Sequence, residues 1–171
     1  ETYNYIKNIN NTLSDSTIKH LTNSVLTFSD LITNRKTDYK FDLEKFTNVN
    51  GKTGIYIQYS QVRAKKLKDT IDNQKEEIKE LILNKTDKQL LSKLFLFSHY
   101  LEQSALLNEP HHLANYLYEI SNLFNQFYEN EKLTSITDPN QMASKLYIIN
   151  LFLTTSHNTM FCLGILPVDE M

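Results

Sequence analysis

Tyr56, Tyr59 and Arg63 stand three and four residues apart, the spacing that sets side chains on one face of a helix. Two phenol rings and a guanidinium plane there could stack an unpaired nucleobase and meet its edge or a phosphate. The same spacing suits two half-buried packing tyrosines and a surface ion-pair arginine, and aromatic stripes on helices are commonly core. Spacing alone leaves both readings open. Just beyond, Arg63, Lys65, Lys66 and Lys68 form the densest basic cluster in the chain. Such a run is usually a solvated face, but beside a ring-lined surface it could reach phosphates.

Other chemistry-bearing residues carry less. His111 and His112 are adjacent; on a helix they point about 100° apart, so they are read as packing or capping residues and no metal site is expected. Asp38 and Asp42 flank Tyr39 and Phe41 in a loop, where carboxylates order a junction more readily than they act as acid and base. Cys162 is the single cysteine, which excludes an internal disulfide and fits a reducing compartment. Its apolar surroundings predict a core position. No nucleophile–base pair and no glycine-rich phosphate loop occurs. The chain should bind rather than catalyse, with no catalytic residue and no cofactor of its own.

The elements that must position these residues are helical. Of 171 residues only three are Gly and three Pro, too few for a fold that turns often. Thr2–Thr12 predicts a partial helix around Tyr5 and Ile9. Ser14 or Asp15 caps a helix with the stripe Ile18, Leu21, Val25, Phe28 and Ile32. One helical turn fits Asp42–Phe46, and Gly51 and Gly54 mark a turn before a helix running from Ile55 to Lys68 or Asn73. Lys75–Asn84 suits a short helix or an ordered loop. Thr86 or Asp87 caps a helix with the stripe Leu90, Leu94, Phe97 and Leu101. Asn108-Glu109-Pro110 signals the next start, followed by Leu113, Leu117, Ile120, Phe124 and Phe127. Asp138-Pro139 opens the last helix, with Met142, Leu146, Ile149, Leu153 and Met160, and Gly164 stops it. The whole is an all-α helical bundle.

Four stretches together resemble arginyl-tRNA synthetases. Asn34–Asp42 looks like the N-R-x-x-D-Y-x-F-D segment that joins the catalytic domain to the anticodon-binding domain. Thr53–Arg63 is similar to the G-x-Y-x-Q-Y-x-x-x-R signature. Glu109–Tyr118 with Phe124–Tyr128 resembles E-P-H-x-L-x-x-Y-L-Y and F-N-x-F-Y, and Gly164–Met171 resembles the G-(I/L)-x-P-x-x-x-M ending. Order and intervals fit as well, from about Leu21 to Met171. The resemblance implies the DALR type of anticodon-binding bundle over residues 55–171, a junction loop over 36–54, and a connecting helix over 1–35 adjoining a catalytic domain. Glu1 opens the chain where a helix already reads as under way, which suggests an excised piece.

The resemblance also implies a function: reading the anticodon of tRNA(Arg) for an enzyme that couples arginine to that tRNA with ATP and Mg. The family's pocket uses both tyrosines of the signature, here Tyr56 and Tyr59. It also uses tyrosine at the position of Tyr128 and the methionine at Met171. Arg63 belongs beside them, and Lys65, Lys66 and Lys68 would meet stem phosphates. The HIGH and KMSK-like motifs of the catalytic domain are missing from this sequence, so the piece alone should be inactive. A cytoplasmic monomer is expected, partnered by tRNA(Arg) and its own catalytic domain. The rival reading is a free-standing helical protein-interaction module. A net charge of −2 gives no global pull toward RNA, so any binding must be local. No apolar run is long enough to span a membrane.

Overall fold

The computed structural model describes residues 1–71, 80–130, 133 and 136–171. Among these residues there are eight helices and no strand: α1 (Thr2–Ile9), α2 (Asp15–Leu31), α3 (Leu43–Phe46), α4 (Gly54–Ile71), α5 (Lys85–Leu94), α6 (Phe97–Leu107), α7 (His111–Asn130) and α8 (Pro139–Cys162). Helix α7 lies at the centre, with α4, α5, α6 and α8 packed on it; α2 packs on α4 from outside, and α1 on α2. None of these helices is long and apolar enough to cross a membrane.

The stripes set this arrangement. Leu113, Leu117, Ile120, Phe124 and Phe127 of α7 are all buried, and Phe124 stacks on Phe152 of α8 with ring centroids 4.2 Å apart. A second, smaller cluster gathers Ile6, Ile18, Leu21, Val25, Phe46, Ile55, Val62 and Val168 between α1, α2, α4 and the C-terminal tail. Helix α1 joins it through Ile6 and leaves Ile9 in solvent, so the weak spacing of Tyr5 and Ile9 pointed to the wrong residue.

Caps mostly fall where the sequence signals them. Ser14 accepts from the Thr17 amide, Asp42 from Lys45, and Asp138 from Asn140 and Gln141 with Pro139 at the first turn. Two starts differ. Asn84, not Thr86 or Asp87, caps α5, while Asp87 answers from the third position as a capping box. Its carboxylate is then fully buried and holds the equally buried ammonium of Lys145 on α8 at 2.7 Å. Asn108 ends α6 in the left-handed conformation (φ 52°) rather than starting α7, a role its short polar side chain tolerates.

The stripe Leu90–Leu101 does not belong to one helix. At Phe95–Leu96 the hydrogen bonds tighten, with Leu96 N–H donating to the Lys93 carbonyl, and α6 sets off anew. The reason lies on α7. Tyr116 is fully buried, its hydroxyl donates to the Leu94 carbonyl at 3.0 Å, and its ring stacks on Tyr100 at 4.8 Å. Leu90 and Leu94 stay in the core, while Phe97 and Leu101 pack at its edge. Residues 80–84 are not helical; 75–79 and Asn73 lie outside the described residues. Cys162 is exposed. It occupies the outer face of the last turn of α8, where Met160 and Leu163 take the inner positions.

Candidate nucleic-acid interface

Helix α4 carries most of the candidate interface, and its placement begins at Gly54. A Cβ there would lie 2.2 Å from the Ser24 carbonyl oxygen, so only glycine lets α4 start directly on the backbone of α2. Thr53 anchors the first turn: its hydroxyl donates to the Asn48 carbonyl at 2.6 Å and accepts from the Tyr56 amide at 3.1 Å. With that end fixed, Ile55, Ile57, Val62 and Ala64 turn inward while Tyr59 and Arg63 face out toward α7.

The guanidinium of Arg63 lies between two rings, 4.4 Å from the centroid of Tyr59 and 4.4 Å from that of Tyr128 on α7. It also hydrogen-bonds the Tyr59 hydroxyl and donates to Asn125 Oδ1 at 3.2 Å. Asn125 is itself fixed, because its amide donates to Ser60 Oγ at 2.8 Å. Glu129 stands 3.9 Å off, exposed and therefore weak. Both rings remain open to solvent at 37%. Beside them is a hollow of about 380 Å³ walled by Tyr59, Arg63, Lys66, Tyr128 and Met171. A flat aromatic guest could stack there on the open side of a phenol ring, with Arg63 as a fixed charged donor and the phenol hydroxyls as hydrogen-bonding edges.

Tyr56 is set apart from this hollow. Its ring packs against Tyr118 of α7 at 5.6 Å, its hydroxyl reaches Asn122 Oδ1 at 3.4 Å, and burial pushes its phenol up from the ordinary range. Three-residue spacing places it on the α7 side of α4, half-buried. It shares a second hollow, of about 370 Å³, with Tyr59, Arg63, Asn122 and Gln126.

Met171 reaches the first hollow because the tail turns back. Gly164 (φ 71°) reverses the chain after α8, and two side chains of α4 then hold the tail. Gln58, fully buried, donates to the Leu166 carbonyl at 2.7 Å and accepts from the Val168 amide at 3.0 Å. Lys65 pairs with Asp169 at 2.7 Å, holding that carboxyl below its usual range. Lys65 is thus engaged with the tail. Lys66 lines the ring-walled hollow, and Lys68 faces another recess with His157. Lys65 and Lys68 therefore share one side of α4, and Lys66 lies on the side of the rings.

At the start of α7, Glu109, His111 and His112 each bring one ligand-capable atom within 4.8 Å of the others. Adjacent histidines do not diverge here as the helical angle implies, because at the first turn their rings swing together to 4.1 Å. The Lys36 ammonium already sits 2.8 Å from Glu109, and His112 lies 3.3 Å from it. Burial and the neighbouring His112 press the His111 imidazole below its ordinary range.

Gln58 and Asn125 are the residues whose importance the helical spacing does not reveal. Their signal is a polar side chain where the stripe calls for an interior residue: both are buried, and both spend their carboxamides on specific partners.

Comparison with known proteins accords with this geometry. A family model described as the DALR anticodon binding domain matches residues 57–171. The chain is 34% identical over 140 residues to the arginine–tRNA ligase of Francisella tularensis subsp. novicida, covering 77% of this chain and 24% of that protein. It is 30% identical over 164 residues to that of Frankia casuarinae, covering 93% of this chain and 28% of that protein. It spans about a quarter of the length of these relatives. Among solved structures, Thermus thermophilus arginyl-tRNA synthetase superposes with a TM-score of 0.84 at 18% identity, over 99% of this chain and 30% of that one. At such identity the likeness speaks for the fold, which is the all-α bundle. The match over most of the chain and the relatives together establish that the chain belongs to the DALR anticodon-binding domain family, in the form found in arginine–tRNA ligases.

Proposed function

We propose that this domain reads the anticodon loop of tRNA(Arg), seating an unpaired base in the hollow of Tyr59, Arg63, Tyr128 and Met171. The observation that carries the reading is the guanidinium held 4.4 Å from each of two half-open rings at the mouth of that hollow. Rings pinned in this way stack a base without their side chains having to be ordered first. Tyr56 serves from the second hollow, toward a neighbouring part of the loop. Lys66, and on the far side Lys68, are placed for phosphates, while Lys65 serves chiefly to hold the tail.

In the protein to which it belongs, the domain serves arginine–tRNA ligation, which uses ATP and Mg. A catalytic domain supplies that chemistry; this chain supplies binding, acts in the cytoplasm, and needs no second copy of itself. Replacing Tyr59 by Ala should weaken binding of a tRNA(Arg) anticodon stem-loop by about 1–3 kcal/mol, the scale of one lost base stack. Unchanged affinity in a variant that keeps its helical spectrum and melting temperature would remove Tyr59 from the site.

A further inference from the structure

After Leu163 the chain leaves helical structure, yet Ile165 and Val168 are buried. Buried backbone groups outside helices need partners. The turn itself supplies one, from the Ile165 amide to the Met160 carbonyl at 2.9 Å. Beyond that point a side chain supplies them. The Gln58 carboxamide accepts from Val168 N–H at 3.0 Å and donates to Leu166 C=O at 2.7 Å, pairing with residues two apart much as a neighbouring strand would. Its Nε2 also donates to Ser24 Oγ at 2.7 Å, and Ser24 donates in turn to the His20 carbonyl at 2.8 Å. Every polar atom of Gln58 is thereby committed, and its side chain cannot turn. The third residue after Val168 is Met171, which packs at the edge of the second core cluster and walls the hollow of Tyr59 and Tyr128.

From these contacts we infer that Gln58 is a positioning residue: by holding the tail at Leu166 and Val168 it makes Met171 a fixed wall of the base-binding hollow. It touches no base. Its effect on recognition passes through Met171, and that part rests on the reading of the hollow proposed above. Lys65–Asp169 is the outer fastening of the same segment, but Asp169 is exposed and Lys65 partly so. That pair is the weaker hold.

The chain has three methionines, and Met142 and Met160 are buried in the main core. Methyl-labelled methionine therefore reports the tail and the fold at once in a single NMR spectrum. In the full chain, Gln58→Leu keeps side-chain bulk and removes every hydrogen bond. The Met171 methyl should then sharpen and move to its random-coil position, with Met142 and Met160 unshifted. Gln58→Glu retains the acceptor for Val168 but loses both donors; it should give an intermediate shift, and it serves if the leucine variant does not fold. In stem-loop binding, Gln58→Leu and Met171→Ala should each weaken affinity about tenfold. The double variant should be no weaker than the worse single, because both remove one wall.

A Met171 methyl unmoved in both Gln58 variants overturns the inference, as do additive losses of affinity or a shift shared equally by all three methionines. A freed Met171 with unchanged RNA affinity leaves the fastening intact but overturns its part in recognition, and with it the assignment of this hollow to a base.

Discussion

A guanidinium between two rings differs from a charge at the end of a flexible stem. Arg63 presents a plane, and Tyr59, Tyr128 and Asn125 fix how that plane lies. Lysine would keep the charge but cannot stack or offer a planar fork. Arg63→Lys should therefore weaken stem-loop binding by about 1–2 kcal/mol, the scale of a partly desolvated cation–π contact; wild-type affinity would reduce Arg63 to its charge. At this scale the sequence was half legible. The interval from Tyr59 to Arg63 located the outward pair, whereas Tyr128, exposed beside the buried Phe127, was reached only through the resemblance. Tyr56 obeys the same interval yet packs inward, because its neighbours Tyr118 and Asn122 come from a helix 60-odd residues away, which periodicity along one helix cannot register.

Helix α4 owes its position to a missing side chain. By helix propensity alone, Gly54→Ala at the first position of α4 should stabilise, by less than the roughly 1 kcal/mol of a helix interior. The backbone of α2 decides otherwise, since a methyl would lie 2.2 Å from the Ser24 carbonyl oxygen and 2.9 Å from the Val25 amide. Overpacking against backbone costs about 1–3 kcal/mol or more, so the variant should lower the urea midpoint. A raised midpoint would mean that α4 and α2 are not in contact as described. Elements with strong stripes and caps, notably α2, α7 and α8, were readable in order and nearly in extent. The break between α5 and α6 was not, for its cause is the Tyr116 hydroxyl on α7. Nor was the exposure of Cys162: an apolar run at the end of a helix does not say which face meets the core. Asp87 was seen only as a cap, because its buried partner Lys145 stands on a helix far away in sequence and reads there as an ordinary surface lysine.

Across the whole molecule the charge is nearly balanced at −2, and the lysines of α4 point to different sides of the bundle. The overall field cannot draw RNA in as a basic stripe would. Affinity must then come from one small surface, and a surface that stacks a base and meets its edges has to discriminate between bases. A bundle that merely exposed aromatics for a protein partner would carry no such requirement. The direct measurement is a titration of the full chain with two anticodon stem-loops of tRNA(Arg), one with C and one with A at the middle position. Seating of the base in the hollow of Tyr59, Arg63, Tyr128 and Met171 predicts that C binds more tightly by at least about tenfold, since an ill-matched edge leaves polar groups unpaired at on the order of 1–3 kcal/mol. Equal affinity for the two would contradict it.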